Sequence, residues 1–373
     1  MLVKSPFGPV KLLTPLFSSS GLEDAQFFQV VDTIRANDLF RRMRREKSIE
    51  FIVPEAQHSK VVAIYKNLKY KWKKIHPNYG DKSPKEIFHL YRRFKQDRNH
   101  FFGRFGFIIS ENYQIKLKYP PDVSIMPSAI RTFIDEPHSV FMPMNLWEGI
   151  LSTNEWNSKG LVIEALEETI HPLYGVWSPT NQEFLGLFKK YLDGVELQGT
   201  AIDLGCGTGV LGFMLAKKGM QVFGVDSLFQ AAKCTNLNAQ KLELDVNAVH
   251  DDANKVDLPM CDVIVCNPPW IPVSKKTALD SGVYDPDESL LKAAFMQTKK
   301  LNAKGKLLLF YSNFASKIGL QKENRIEELC QSHQMKIANR LELPFPYTTD
   351  TDHPLKKFKD SSHIYLYEII RDL

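Results

Sequence analysis

The chain has 373 residues, 43% of them apolar and 24% charged, with 48 Lys and Arg against 43 Asp and Glu. That length predicts two domains, and the apolar fraction is that of a globular chain with a real core. No run approaches the roughly 20 apolar residues of a spanning helix, and the first residues lack the apolar stretch of a signal peptide, so no membrane association is expected.

Five cysteines, Cys206, Cys234, Cys261, Cys266 and Cys330, show no paired spacing of the kind that holds zinc. They are expected to be reduced, buried thiols in a cytoplasmic protein. Charge is unevenly placed. Arg35 to Arg104 carries 19 Lys and Arg against 7 Asp and Glu, whereas Val176 onward carries 23 against 24. The basic front half predicts an acidic partner.

In chain order, residues 1–20 are rich in Pro and Ser and predict an irregular arm. Ala25 to Lys47 has helical spacing. Ile49–Val53 and Val61–Tyr65 predict short strands. Ser83-Pro84-Lys85-Glu86 predicts a helix start, with Ser at the N-cap and Pro at the first helical position. Arg104–Ile109 and Gln114–Tyr119 predict a hairpin, and Gly160–Ile170 a helix. His76, His89, His100 and His138 fit no metal-binding spacing, and no metal is expected.

From about Thr200 strands and helices alternate. Apolar strands are predicted at 201–204, 221–225, 246–250, 262–266 and 305–311. Helices are predicted at 210–217, 229–242, 287–301 and 320–331. Met335–Leu341 and His363–Ile370 follow as two strands with no helix between them. The alternation predicts an α/β sheet covered on both faces, with an antiparallel pair at one edge.

Asp203-Leu-Gly205-Cys-Gly207-Thr-Gly209 sits between the first of these strands and its helix. Glycines there permit a tight turn and close approach of a ligand. Gly207, Gly209 and Gly212 also satisfy G-x-G-x-x-G, the dinucleotide fingerprint, and Asp226 closes the next strand as the ribose acid in either case. The turn alone therefore leaves a methyl-donor site and a dinucleotide site open. Asp203 favours the first, because a carboxylate there repels a pyrophosphate and attracts a sulfonium.

Asp262-Val-Ile-Val-Cys-Asn267-Pro268-Pro269-Trp270 reads as a buried strand ended by two prolines. Asn267 and Trp270 thus fall at the carboxyl end of a strand, where open α/β sheets bind ligands. A planar exocyclic nitrogen is a poor nucleophile because its lone pair is delocalised. Acceptors at the Asn267 side-chain oxygen and the Pro268 carbonyl, directed by rigid prolines, would free that lone pair. The Trp270 face would stack on the planar group.

With these motifs in place, residues 176–373 resemble the class I S-adenosylmethionine-dependent methyltransferases, in the branch carrying (D/N/S)-P-P-(Y/F/W). That branch includes amino-methylating nucleic-acid enzymes and the HemK-like glutamine methyltransferases. The resemblance implies a seven-stranded Rossmann-like α/β sheet with an antiparallel last strand over residues 171–373. Residues 1–170 remain as a basic α+β substrate-recognition region. It implies S-adenosyl-L-methionine as cofactor, held by Asp203, Gly205, Gly207, Gly209, Asp226, Asp252 and Asn267. It also implies catalysis by Asn267, Pro268, Pro269 and Trp270.

Val176-Trp177-Ser178-Pro179-Thr180 resembles the upstream segment that covers the cofactor. Trp270 replaces the commoner Tyr or Phe. Asn267-Pro-Pro-Trp-Ile-Pro272 is nearest the HemK-like loop and favours a protein amide. Lys69-Tyr-Lys-Trp-Lys-Lys74 and Tyr91-Arg-Arg-Phe94 interleave cations with aromatics, as suits RNA. RNA is the expected partner and a protein substrate the alternative. A binding module without turnover and a dinucleotide-dependent oxidoreductase are the competitors from other classes.

Overall fold

The computed structural model describes residues 2–5, 8–12, 27–30, 36–45, 50–53, 57–120, 139–275, 282–345 and 353–372. Strands β1 (Thr200–Leu204), β2 (Gln221–Asp226), β3 (Val246–His250), β4 (Cys261–Cys266), β5 (Leu301–Ser312), β6 (Met335–Pro344) and β7 (His363–Arg371) form one mixed sheet. Their order is β3-β2-β1-β4-β5-β7-β6. β1 to β5 run parallel. β7 lies between β5 and β6 and is antiparallel to both.

Side-chain alternation splits this sheet into two cores. Ala201, Val263, Val265, Leu308 and Phe310 face one side, with Phe184 and Phe188 of α1 (Glu183–Asp193) and Phe213 of α2 (Val210–Ala216). Ile202, Leu204, Ile264, Leu307 and Leu309 face the other. There they meet Leu291 and Phe295 of α4 (Ser289–Met296) and Leu329 of α5 (Arg325–Ser332). Helix α3 (Phe229–Leu242) joins β2 to β3. Strands buried on both faces explain the continuous apolar runs of the sequence.

The chain leaves β1 toward β2 on one side and β4 toward β5 on the other. The carboxyl ends of β1 and β4 therefore form the switch point of the sheet. The expected antiparallel pair is present, but a short helix, Lys356–Asp360, separates its strands.

Two compact units make up the chain: residues 1–81 with 89–154, and residues 82–88 with 155–373. The sequence-based boundary at 170/171 falls inside the second unit. Gly160–Ile170 is there a β-hairpin, Leu161–Ile163 with Glu168–Ile170, and not a helix. Glu167 at its turn takes a φ of 59°, which breaks the helical path.

In the first unit Val61–Tyr65 belongs to the helix His58–Trp72 and not to a strand. Val61, Tyr65, Leu68 and Trp72 recur at helical spacing and are all buried. Phe27–Val30 is a strand inside the predicted helix 25–47, of which Ala36–Arg45 is helical and the rest lies outside the described residues. Leu2–Ser5 and Gly8–Leu12 pair as strands within the predicted irregular arm. Gly106–Ile109 pairs with Val140–Pro143, and it meets the predicted partner only at an isolated Ile109–Ile115 bridge. Ser83 does cap its helix: its hydroxyl and backbone N–H both donate to Glu86. His138 lies outside the described residues.

Candidate functional site

A cavity of about 750 Å³ opens at the switch point and is lined by the turns that follow β1, β2 and β4. The first turn needs its glycines. Gly205, Gly207 and Gly209 have φ of 75°, 56° and 89°, the left-handed region that side chains disfavour. A Cβ on Gly209 would collide with the Phe213 ring, whereas one on Gly207 would meet only the Gly205 carbonyl, 3.9 Å away.

The turn is held by neighbours. The Gly205 and Cys206 N–H groups donate to the Val225 carbonyl at 2.8 and 3.1 Å. The Gly207 N–H donates to Asp226 Oδ2 at 3.0 Å, and the Gly207 carbonyl accepts from the Thr235 hydroxyl at 3.2 Å.

Asp226 lines the cavity. Its Oδ1 accepts the Leu228 N–H at 2.9 Å, so each oxygen is engaged once and keeps a further lone pair. Burial raises its pKa against those two backbone bonds. Asp203 is placed differently. It is 2% exposed, is absent from the cavity wall, and accepts the Gly212 N–H at 2.9 Å. Its pKa is pushed up to about 7, first by burial and then by Asp226, against the Gly212 bond.

Gly212 is thereby explained without a pyrophosphate, since a Cβ there would lie 3.1 Å from Asp203 Oδ2. A carboxylate beneath the start of α2 occupies an amide that a dinucleotide phosphate would use. Asp252 lines the cavity past β3, and its Oδ1 accepts the Asn254 N–H and Nδ2. Those bonds hold its carboxyl below the ordinary range.

Asn267, Pro268, Pro269 and Trp270 all line the same cavity. No described residue bonds the Asn267 side chain or the Pro268 carbonyl. Trp270 packs against both cores and edge-on to Phe345, with centroids 6.2 Å apart. Its Nε1–H is buried without a hydrogen-bond partner among the described residues.

The upstream segment also reaches the cavity. Val176 packs on Ala231 and Cys234 of α3, and Asn238 accepts the His171 N–H at 2.6 Å. Trp177, 47% exposed, stands on the wall with Gly282 packed against it.

Sequence reasoning missed Asp285, a 4%-exposed carboxylate on the cavity wall. The cap of α4 is supplied by Asp285, which accepts the Leu290 N–H at 3.0 Å. The signal was Pro286, which fixes the turn that brings Asp285 back onto the helix. Phe345, also on the wall, follows β6 and reaches the site only through topology.

Among the described residues no group of His, Cys, Asp and Glu could hold a metal ion. No described helix is long and apolar enough to cross a membrane.

Residues 175–337 match the family model of the methyltransferase small domain. This is a class I S-adenosylmethionine-dependent methyltransferase domain. Its cofactor is S-adenosyl-L-methionine. The cavity fits that group: Gly207 leaves the turn open, Asp226 keeps free lone pairs, and Lys275, the one lysine or arginine among the described lining residues, lies past β4 and not at the glycine turn.

The methyltransferase domain is similar to a Methanocaldococcus jannaschii protein described as a candidate protein N5-glutamine methyltransferase. The two share 27% identity over 193 residues, 49% of this chain and 92% of that one. It is 30% identical over 131 residues to the ribosomal RNA small subunit methyltransferase C of Alcanivorax borkumensis, 34% of this chain and 40% of that one. Other curated relatives are matched over 21% to 48% of their own length. A solved ribosomal protein L11 methylase from Lactobacillus delbrueckii subsp. bulgaricus aligns with a TM-score of 0.39 at 16% identity. That alignment covers 56% of this chain and 87% of that one.

Proposed function

We propose that this chain methylates a planar exocyclic nitrogen, of a base in RNA, with Asn267, Pro268, Pro269 and Trp270 as the acceptor loop. The observation that carries the reading is the unengaged pair of acceptors, the Asn267 side chain and the Pro268 carbonyl, on the wall of the cofactor cavity. When bound, S-adenosyl-L-methionine supplies an electrophilic methyl on a sulfonium, an excellent leaving group.

The chain's own work is then positioning. Asn267 Oδ1 and the Pro268 carbonyl accept the two N–H groups of the acceptor and favour pyramidal nitrogen. The Trp270 ring packs against the planar group and, with Phe345, excludes water. Asp226 accepts the ribose hydroxyls through its remaining lone pairs, and Asp252 meets the adenine amino group. Gly207 leaves room for the methionine end, while Gly205 and Gly209 shape the turn against Leu290 and Phe213. Asp203 acts from beneath the turn, through its field and not by contact.

RNA is favoured by the first unit. Lys60, Lys66, Lys73, Lys74, Arg93 and Arg98 are exposed there, and Tyr70, 61% exposed, carries Lys74 over its ring. Trp72 and Phe94, by contrast, stack on each other, with Trp72 buried. The second reading, a protein glutamine, is favoured by the archaeal relative, 92% of which the chain spans.

Labelled methyl from S-adenosylmethionine, added with the protein to cell extract, is expected in material that RNase destroys. Label lost to protease and surviving RNase would overturn the RNA reading in favour of a protein substrate. Calorimetry is expected to find binding of S-adenosylmethionine and none of NAD.

A further inference from the structure

The acceptor loop and the glycine turn leave different strands, yet a single residue, Asp285, stands between the two. Past Trp270, Ile271 forms a parallel bridge with Tyr284, and its carbonyl accepts the Asp285 N–H at 3.1 Å. The Asp285 carboxylate then accepts the Leu290 N–H at 3.0 Å and the Ser289 hydroxyl at 3.1 Å. Leu290, so fixed in the first turn of α4, lays its side chain on the glycine turn: a Cβ on Gly205 would lie 2.7 Å from Leu290 Cδ2.

The segment between these contacts is clamped. Glu288 has a φ of 52°, an unfavourable conformation for a residue with a side chain. Arg325 of α5 holds its carboxylate through Nε and Nη2, at 2.9 and 2.7 Å. Gln321 donates to the other Glu288 oxygen.

We infer that Asp285 is a positioning residue that couples the cofactor turn to the acceptor loop. Its backbone N–H registers the loop and its carboxylate registers Leu290 against Gly205. The naming of Asn267–Trp270 as acceptor loop rests on the proposed function. The mechanical link itself does not. A buried carboxylate suits this task because two oxygens at fixed geometry satisfy two donors at once, more strongly than neutral acceptors do.

Hydrogen exchange of the whole chain tests the link. In the free protein, Asp285→Ala is expected to raise exchange at the Trp270, Ile271 and Val273 amides about tenfold. In the parent protein S-adenosylmethionine is expected to protect both residues 203–212 and residues 270–273. In Asp285→Ala that protection stays at 203–212 and is lost at 270–273. Asp285→Asn keeps an acceptor oxygen for the Leu290 N–H, and is expected to restore both within about twofold.

Unchanged exchange at 270–273 in free Asp285→Ala overturns the inference. So does equal loss in Asp285→Asn with a matching fall in Tm, which would mark a purely structural role. Failure of the parent protein to bind S-adenosylmethionine would sink the cofactor part of the proposed function. The free-protein comparison would still decide the link.

Discussion

The turn after β1 is satisfied from within, whereas the turn after β4 leaves its polar groups open. Around Gly205–Gly209, backbone and side-chain groups are bonded to Val225, Asp226 and Thr235, and Asp203 braces the start of the next helix. At Asn267–Trp270, two prolines fix the chain without using its donors, and the Asn267 amide and Pro268 carbonyl line the cavity with no bond to a described residue. The first turn is shaped to receive a ligand without moving. The second holds acceptors in reserve for a group that arrives.

The sharpest way to break this contrast is Asn267→Ala. Removing an acceptor that meets only the reacting group is expected to lower kcat by about 10²–10³-fold. Cofactor affinity measured by calorimetry should stay within about twofold. Parallel loss of both would place Asn267 in the framework instead.

A smaller effect is expected on the other side. Gly209→Ala forces a side chain into the left-handed region and against Phe213, at a cost of about 1–3 kcal/mol. Tm should fall by several degrees and S-adenosylmethionine affinity with it. A variant that binds normally would show the turn to be less constrained than its backbone implies.

The smallest effect concerns Asp203. Its folded-state pKa, about 7, lies above the unfolded 3.8, so the folded state holds the extra proton between those values. The stability it contributes is present below pH 3.8 and is lost as pH rises through about 7. Asp203→Asn should therefore melt higher than the parent at pH 8, by a smaller margin at pH 5, and alike only below pH 3.8. Ionised Asp203 favours a cation, so parent affinity for S-adenosylmethionine should rise about three- to tenfold from pH 6 to pH 8. Affinity for uncharged-sulfur S-adenosylhomocysteine should not. Identical pH profiles for both ligands would remove Asp203 from the site.

The parallel sheet was legible in the sequence because its strands are buried on both faces and punctuated by glycine and proline. Helix Phe229–Leu242 and strand Val246–His250 were read to the residue. The first unit was not legible in the same way. Val61-Val62 with Tyr65 looks like a strand until Leu68 and Trp72 extend the helical period. In Leu161–Ile170 a helical pattern yields to a two-stranded turn at Glu167.

The motif residues of the site were visible as motifs, but their geometry was not. Nothing in Asp203-Leu-Gly205 tells that the carboxylate turns inward to Gly212. Nothing in Asp285-Pro286-Asp287-Glu288 tells which acid caps the helix and which pairs with Arg325, because that choice is made by residues 37 positions away.

The place of β7 has a consequence for how this sheet is assembled. Until His363–Arg371 docks, β5 presents an open apolar edge along Leu307–Phe310, and β6 has no partner. Such an edge is a template for pairing with another chain. During synthesis that edge stays open until His363–Arg371 has been made and has docked. Protection from aggregation is then needed most just before the chain can protect itself.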